Sequence, residues 1–317
     1  MKIDYLRVSV TDRCNLRCIY CHCLDDCEYI NRREILRFEE IQRIVRLFAE
    51  CGISKVRLTG GEPLIRRNVI ELVRELAVVS NIEDLALTTN GVLLEQMAEQ
   101  LKAAGLMRVN VSLDSVQRDS YKRITGFDVL GNVMAGIRKA IEVGLVPVRI
   151  NTIILKGINE SDIFALAKLS VEMPVGIRFI EYCPTNKDTP PESSFVPNSQ
   201  VRKSIEDRFG RLAAAVVPSS NGPAVYFKIK DAAGSVGFIS GRTKVFCRSC
   251  NRLRLTSDGK VRPCLYAVHS YDLKELIRSG ADDGQILALL KKIIAEKRGY
   301  TKLNSFTEEF SMRNVGG

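Results

Sequence analysis

The sequence has no tryptophan and only two histidines, His22 and His269, among its 317 residues. So little imidazole leaves scant room for histidine-based acid–base or nucleophilic catalysis. No run approaches the about 18 uninterrupted apolar residues that a membrane span requires. Acidic Asp4 stands where a secretory signal would begin its apolar stretch, so a cytoplasmic protein without a membrane partner is expected. Acid is also short overall: 37 Asp and Glu face 47 Lys and Arg, a net charge of +10. That surplus favours an anionic partner, either a nucleic acid or a small phosphorylated substrate. Hydrophobic residues at 45% and charged residues at 26% are ordinary for a globular chain and exclude disordered or collagen-like classes. The ten cysteines, in a reducing compartment, read as thiols, metal ligands or cluster ligands rather than disulfides.

At about 150 residues per domain the length gives roughly two domains, or one large α/β domain with an appendage. Apolar periodicity alternates between short strands and amphipathic helices over most of the first 210 residues, the pattern of βαβ units around a parallel sheet. Strands are expected at 6–10, 55–58, 85–88, 108–113, 148–154 and 177–182, and helices at 39–51, 68–78, 94–104, 129–143, 161–171 and 198–209. Gly52, Gly105 and Gly144 follow three of the helices as stop signals. Such repeats close into either a doubly wound sheet or a partial barrel. Parity favours the barrel. Arg7, Ser9 and Thr11 alternate with Leu6, Val8 and Val10; Lys55, Arg57 and Thr59 alternate with Val56 and Leu58; Arg108, Asn110, Ser112 and Asp114 share one face, as do Arg149 and Asn151. A helix-covered parallel sheet carries a polar inner face where that face lines a wet cavity. Proline-rich stretches at 184–197 and 218–223 mark a shift in composition. The expected division is a core over 1–217 and a smaller α+β domain over 218–317, with strands at 225–230 and 235–239, a cysteine-bearing loop, and helices near 272–278 and 285–297.

Two cysteine sets carry the chemistry. Cys14-x3-Cys18-x2-Cys21 follows the first strand, and three clustered thiolates can hold three irons of a four-iron cluster, leaving the fourth open. A structural zinc site is the alternative, with Cys23, Cys27 or His22 as its fourth ligand. Cys247-x2-Cys250-x13-Cys264 allows the same choice between a second open cluster and a zinc ribbon completed by His269. Thr59-Gly60-Gly61-Glu62-Pro63, Thr88-Thr89-Asn90-Gly91 and Ser112-Leu113-Asp114 all fall at strand ends, where barrel active sites gather.

The first motif resembles that of the radical SAM superfamily. The resemblance implies a six-unit βα barrel, a four-iron cluster on Cys14, Cys18 and Cys21, and reductive cleavage of S-adenosylmethionine to a 5′-deoxyadenosyl radical. Gly61 would meet that cofactor, with Tyr20, Ser112 and Cys183 at its remaining binding positions. The segment from Phe246 through Cys247, Cys250, Asn251-Arg252-Leu253-Arg254-Leu255-Thr256, Asp258-Gly259 and Cys264-Leu265 is similar to the GTP 3′,8-cyclase family of molybdenum cofactor synthesis, and the similarity runs nearly end to end. It implies a second four-iron cluster on Cys247, Cys250 and Cys264 holding the guanine. The implied reaction is a lyase-type radical cyclisation of GTP to (8S)-3′,8-cyclo-7,8-dihydroguanosine 5′-triphosphate. GTP would be bound by Arg7, Arg57, Thr88, Arg149, Arg252, Leu253 and Arg254. Arg252 and Arg254, with the terminal Gly316 and Gly317 reaching the active site, would be its catalytic residues. Implied partners are an external electron donor, a downstream enzyme that makes cyclic pyranopterin monophosphate, and a second copy in a homodimer, with no nucleic acid.

Departures from the family pattern are Arg149 in place of a lysine, Cys183 in place of a methionine, and Cys23 and Cys27 beside the first motif; Cys51 reads as a packed thiol. Another radical SAM enzyme with an auxiliary cluster, such as a peptide maturase, is one competing reading. A zinc protein that binds nucleic acid is the other, although no basic stretch interleaved with aromatics supports it.

Overall fold

The computed structural model describes residues 2–21, 29–184, 189–216, 222–267, 269–300 and 315. Six expected strands form as β1 (Tyr5–Ser9), β2 (Lys55–Thr59), β3 (Asp84–Thr89), β4 (Arg108–Ser112), β5 (Val148–Ile153) and β6 (Val175–Ile180). Between them run α1 (Phe38–Glu50), α2 (Val69–Ala77), α3 (Leu94–Ala103), α4 (Arg118–Thr125), α5 (Leu130–Glu142) and α6 (Ile163–Glu172), with α7 (Asn198–Phe209) after β6. Gly52, Gly105 and Gly144 end their helices at φ of +94°, +97° and +75°, the left-handed turn that a side chain resists. Helix α4 escapes the periodicity because only Tyr121, Ile124 and Thr125 of its eight residues are buried.

Past residue 210 come β7 (Ala213–Ala214), β8 (Val225–Lys228), β9 (Ser235–Ile239), β10 (Arg252–Leu255), β11 (Lys260–Arg262), β12 (Tyr271–Asp272), α8 (Leu273–Arg278) and α9 (Asp283–Lys297). Strand β10 corrects the expected loop: Arg-Leu-Arg-Leu alternates with period two, and Leu253 and Leu255 are fully buried. The strands join one sheet in the order β12-β11-β10-β1-β2-β3-β4-β5-β6-β9-β8-β7. From β10 to β9 every pairing is parallel, while the outer strands at both ends are antiparallel. The later part of the chain therefore extends both edges of the six-stranded core. Residues from β10, from the central strands and from β9 all line one cavity, so the sheet curves around it as a partial (βα)6 barrel without closing.

Strand parity decides which side is which. Leu6, Val8, Val56, Leu58, Leu87, Val109, Val111, Val148, Ile150 and Ile177 are at most 1% exposed and belong to the core shared with the helices. Each such side chain contributes about 1.5–3 kcal/mol. The alternate residues face the hollow.

Candidate functional site

That hollow has a volume of about 670 Å³, and every cysteine of both triads lines it. Cys14, Cys18 and Cys21 follow the C-terminal end of β1, whereas Cys250 precedes Arg252, which pairs with Tyr5 at the strand's start. Tyr5 and Ser9 are four steps of about 3.3 Å apart, roughly 13 Å, so sulfur stands at each end of a strand-length cavity.

Between the sulfurs the lining is cationic. Arg254 is in register with Arg7, Arg7 with Arg57, Arg57 with Ala86, and Ala86 with Arg108, placing four arginines in one row across five strands. Arg149, Arg178, Arg242 and Arg252 add to them. Burial, with Arg108 and Arg149 close by, pushes Arg57 down to about 10. Burial and Arg252 likewise lower Arg254 to about 10, and burial with Arg57 and Arg149 lowers Arg178 to about 9. Arg7 is held well below its usual value, by burial first and then by Arg254. At about 9 to 10, Arg57, Arg178 and Arg254 remain charged at neutral pH. The Tyr5 hydroxyl registers the same field: burial raises its pKa, but the surrounding arginines outweigh burial and leave it lowered. The Nε atoms of Arg57 and Arg178 and the Oγ1 of Thr88 are buried without a hydrogen-bond partner among the described residues. Orphaned donors in a positive hollow call for an anionic ligand with several acceptor oxygens.

Arg108 is held by a carboxylate: its Nε donates to Asp84 Oδ1 at 2.9 Å and its Nη2 donates to Oδ2. Arg178 was not among the residues expected at the site. It lines the cavity and donates from Nη2 to Asn110 Oδ1 at 2.6 Å. Its position two residues before Ile180 on the inner face of β6 was the available signal. Leu253 lies between Arg252 and Arg254, and alternation turns its side chain into the core, fully buried.

At the β1 C-terminal end, Tyr20, Gly61, Ser112 and Cys183 all line the cavity. Tyr20 donates to Asp114 Oδ2 at 2.5 Å, and Asp114 Oδ1 accepts from Ile153 N at 2.7 Å; burial raises Asp114 to about 6. A Cβ on Gly61 would stand 2.2 Å from the Arg13 carbonyl oxygen. The close approach there is thus to the chain's own backbone, sealed by Gly61 N donating to Thr11 O and Glu62 N to Arg13 O, both at 2.7 Å. Cys183 Sγ lies 2.9 Å from the Tyr266 hydroxyl. Cys51 packs against the core as expected.

None of the eight described cysteines is in a disulfide. Burial holds the Cys14 and Cys18 thiols above their ordinary pKa, an environment that binding to iron would relieve. Cys14 Sγ accepts from Leu16 N at 3.4 Å and from Asn90 Nδ2 at 3.8 Å. Burial raises Cys250 too, but Arg252 and Lys297 overcome it and bring it down to about 7. Among the described residues no three His, Cys, Asp or Glu side chains converge tightly enough to hold one metal ion. Two sulfur triads on a roomy cavity suit instead a polynuclear cluster with an open corner. His269 is exposed and does not line the cavity, so zinc completed by that residue finds no support. His22, Cys23, Cys27, Gly316 and Gly317 lie outside the described residues. No helix of the described residues is long and apolar enough to cross a membrane.

The chain matches the Radical SAM superfamily over residues 8–170 and Molybdenum Cofactor Synthesis C over 175–303. A GTP 3′,8-cyclase of Pelotomaculum thermopropionicum is 45% identical over 318 residues, covering all of this chain and 98% of that protein. One from Moorella thermoacetica is 42% identical over 317 residues at the same coverage. In fold, the chain is similar to Streptococcus suis SuiB bound to S-adenosylmethionine, with a TM-score of 0.68 at 15% identity over 96% of this chain and 71% of that one. Sequence likeness along the whole length, on a barrel with sulfur at both ends, places the chain in the radical SAM superfamily and in its GTP 3′,8-cyclase family.

Proposed function

We propose that the chain cyclises GTP between ribose C3′ and guanine C8, forming (8S)-3′,8-cyclo-7,8-dihydroguanosine 5′-triphosphate for molybdenum cofactor synthesis. The observation that carries this reading is one cavity with a cysteine triad at each end and a row of buried arginines between them. Cys14, Cys18 and Cys21 would hold one four-iron cluster, and Cys247, Cys250 and Cys264 a second. When bound, the first cluster with S-adenosylmethionine supplies a 5′-deoxyadenosyl radical, an acceptor for the C3′ hydrogen.

The residues of this chain bind and orient. Tyr20, fixed by Asp114, forms the cofactor end with Gly61, Ser112 and Cys183. Arg7, Arg57, Arg149, Arg178, Arg252 and Arg254, with Thr88, surround the nucleotide, and planar guanidinium groups match phosphate oxygens in pairs. Arg149 keeps the charge of the family's lysine and presents it as a planar fork rather than a point charge. Leu253 could contribute only backbone atoms. Holding the two reacting carbons together is where a protein contributes most to a ring closure. By the family resemblance Arg252, Arg254, Gly316 and Gly317 would be the catalytic residues, of which Gly316 and Gly317 lie outside the described residues. Eight arginines line the cavity, which favours a small phosphorylated substrate over nucleic acid. The activity requires an external one-electron donor, and its product would pass to an enzyme that converts it to cyclic pyranopterin monophosphate.

Anaerobic, reduced protein incubated with S-adenosylmethionine and GTP tests the reading. Formation of 5′-deoxyadenosine together with the cyclised nucleotide is expected; cofactor cleavage with GTP untouched would refute it.

A further inference from the structure

Helix α9 buries Ile286, Leu290, Ile293 and Lys297. These are one core stripe at spacings of four, three and four, and its last place, where an apolar residue belongs, is taken by a lysine that is 1% exposed. An ammonium removed from water without an anion is costly, so buried lysines are paired. Among the described residues Lys297 Nζ has one polar contact, Cys250 Sγ at 3.7 Å. A lysine in the last turn of a helix is often explained by the carbonyls exposed there, but this one reaches past them to sulfur and lines the cavity beside Cys247, Cys250 and Cys264. At the first triad, Cys14 Sγ accepts instead from two uncharged nitrogen donors, Leu16 N and Asn90 Nδ2.

We propose that Lys297 is a positioning residue for the second triad, a buried counter-charge that keeps Cys250 turned into the cavity and favours the reduced, more negative form of a cluster held there. This rests on the reading that Cys247, Cys250 and Cys264 hold a four-iron cluster. A cation at contact distance from sulfur, in a poorly solvated site, acts with little screening, and charge and hydrogen bonds at the sulfurs set cluster potentials.

The test uses the full chain, anaerobically reconstituted, with Cys14, Cys18 and Cys21 changed to Ser so that only the second cluster is read. Lys297→Met keeps the length and removes the charge, Lys297→Gln keeps a polar tip if methionine disturbs folding, and Lys297→Arg keeps the charge. Iron per chain and the one-electron midpoint potential, by spectroscopic redox titration without GTP, are the measurements. Both neutral variants should shift the reduction equilibrium about tenfold toward the oxidised form, about 59 mV lower, while Lys297→Arg stays near the parent. An unchanged potential in the neutral variants would overturn the proposal, even with weaker GTP binding, since the lysine would then serve the nucleotide. An arginine variant as shifted as methionine would overturn it in favour of packing. A parent chain without iron would instead refute the cluster reading itself.

Discussion

Arg57→Met separates a residue that builds the fold from one the fold tolerates for its ligand. Arg57 stands mid-row between Arg7 and Ala86 and is 9% exposed. Its guanidinium lies 5.2 Å from the Tyr5 ring centroid, and its Nε finds no hydrogen-bond partner among the described residues. A pKa lowered to about 10 means that the folded state opposes this charge by about 3 kcal/mol. The cation–π contact returns about 1 kcal/mol. Methionine keeps the length without the charge, so the ligand-free protein should gain about 1–2 kcal/mol and melt a few degrees higher. The same change removes charge-assisted hydrogen bonds to phosphate, together about 1.5–3 kcal/mol, so GTP should bind about ten- to a hundredfold more weakly. Thermal unfolding without nucleotide and calorimetric titration with GTP read the two effects separately. A variant that melts several degrees lower and binds GTP unchanged would refute the reasoning, because Arg57 would then be a structural cation.

Arg108→Met should behave in the opposite sense, since it strands Asp84; a loss of about 2–3 kcal/mol in urea unfolding is expected, and a neutral result would show that the pair contributes nothing. Glu40 joins α1 to α8 by accepting from Arg278 Nε at 2.8 Å and Arg37 N at 2.7 Å. Burial opposes its charge, but Arg278 and Arg37 outweigh it and hold the carboxyl at about 2. A folded pKa below the unfolded one stabilises above about pH 4.5 and loses that stabilisation as pH falls toward 2. Glu40→Gln should therefore cost about 2 kcal/mol at pH 7, with a gap from the parent that narrows in acid, as unfolding curves across pH will show. Gly61→Ala would drive a methyl group into the Arg13 carbonyl and should weaken S-adenosylmethionine binding more than tenfold, measured by titration. Replacing Cys247, Cys250 and Cys264 together with Ala should lower iron from about eight to about four per chain.

The six βα units and the inward arginines were legible because strand alternation is a local signal: one residue in two must meet the helices, and here it is Leu, Val or Ile. Strand β10 carried that same signal in Arg-Leu-Arg-Leu, masked by its place among cysteines that suggested a loop. Its pairing with β1, about 250 residues away in sequence, had no local trace, because register between distant strands is set by tertiary packing. Helix α4 was hidden for the opposite reason, being mostly polar and held by a few contacts. Gly61 was expected to meet the cofactor; that its missing side chain makes room for the Arg13 carbonyl of the chain itself had no local trace.

Parity also explains how one short strand serves two opposed demands. In β1, Leu6 and Val8 are buried against the helices while Arg7 between them faces the hollow. The apolar face stabilises the sheet; the charged face repels itself along the row. A barrel packed to its axis with side chains could not hold such a row, and an open sheet would leave it to water and lose the field. The partial barrel, extended on one edge by β10 and on the other by β9, encloses the arginines enough to concentrate their charge and leaves a volume that a polyanion can fill. Stability and ligand affinity should thus separate by strand face: outward substitutions should unfold the chain, whereas neutral replacements of Arg57 and Arg178, whose buried Nε atoms have no hydrogen-bond partner among the described residues, should strengthen the empty protein and weaken the loaded one.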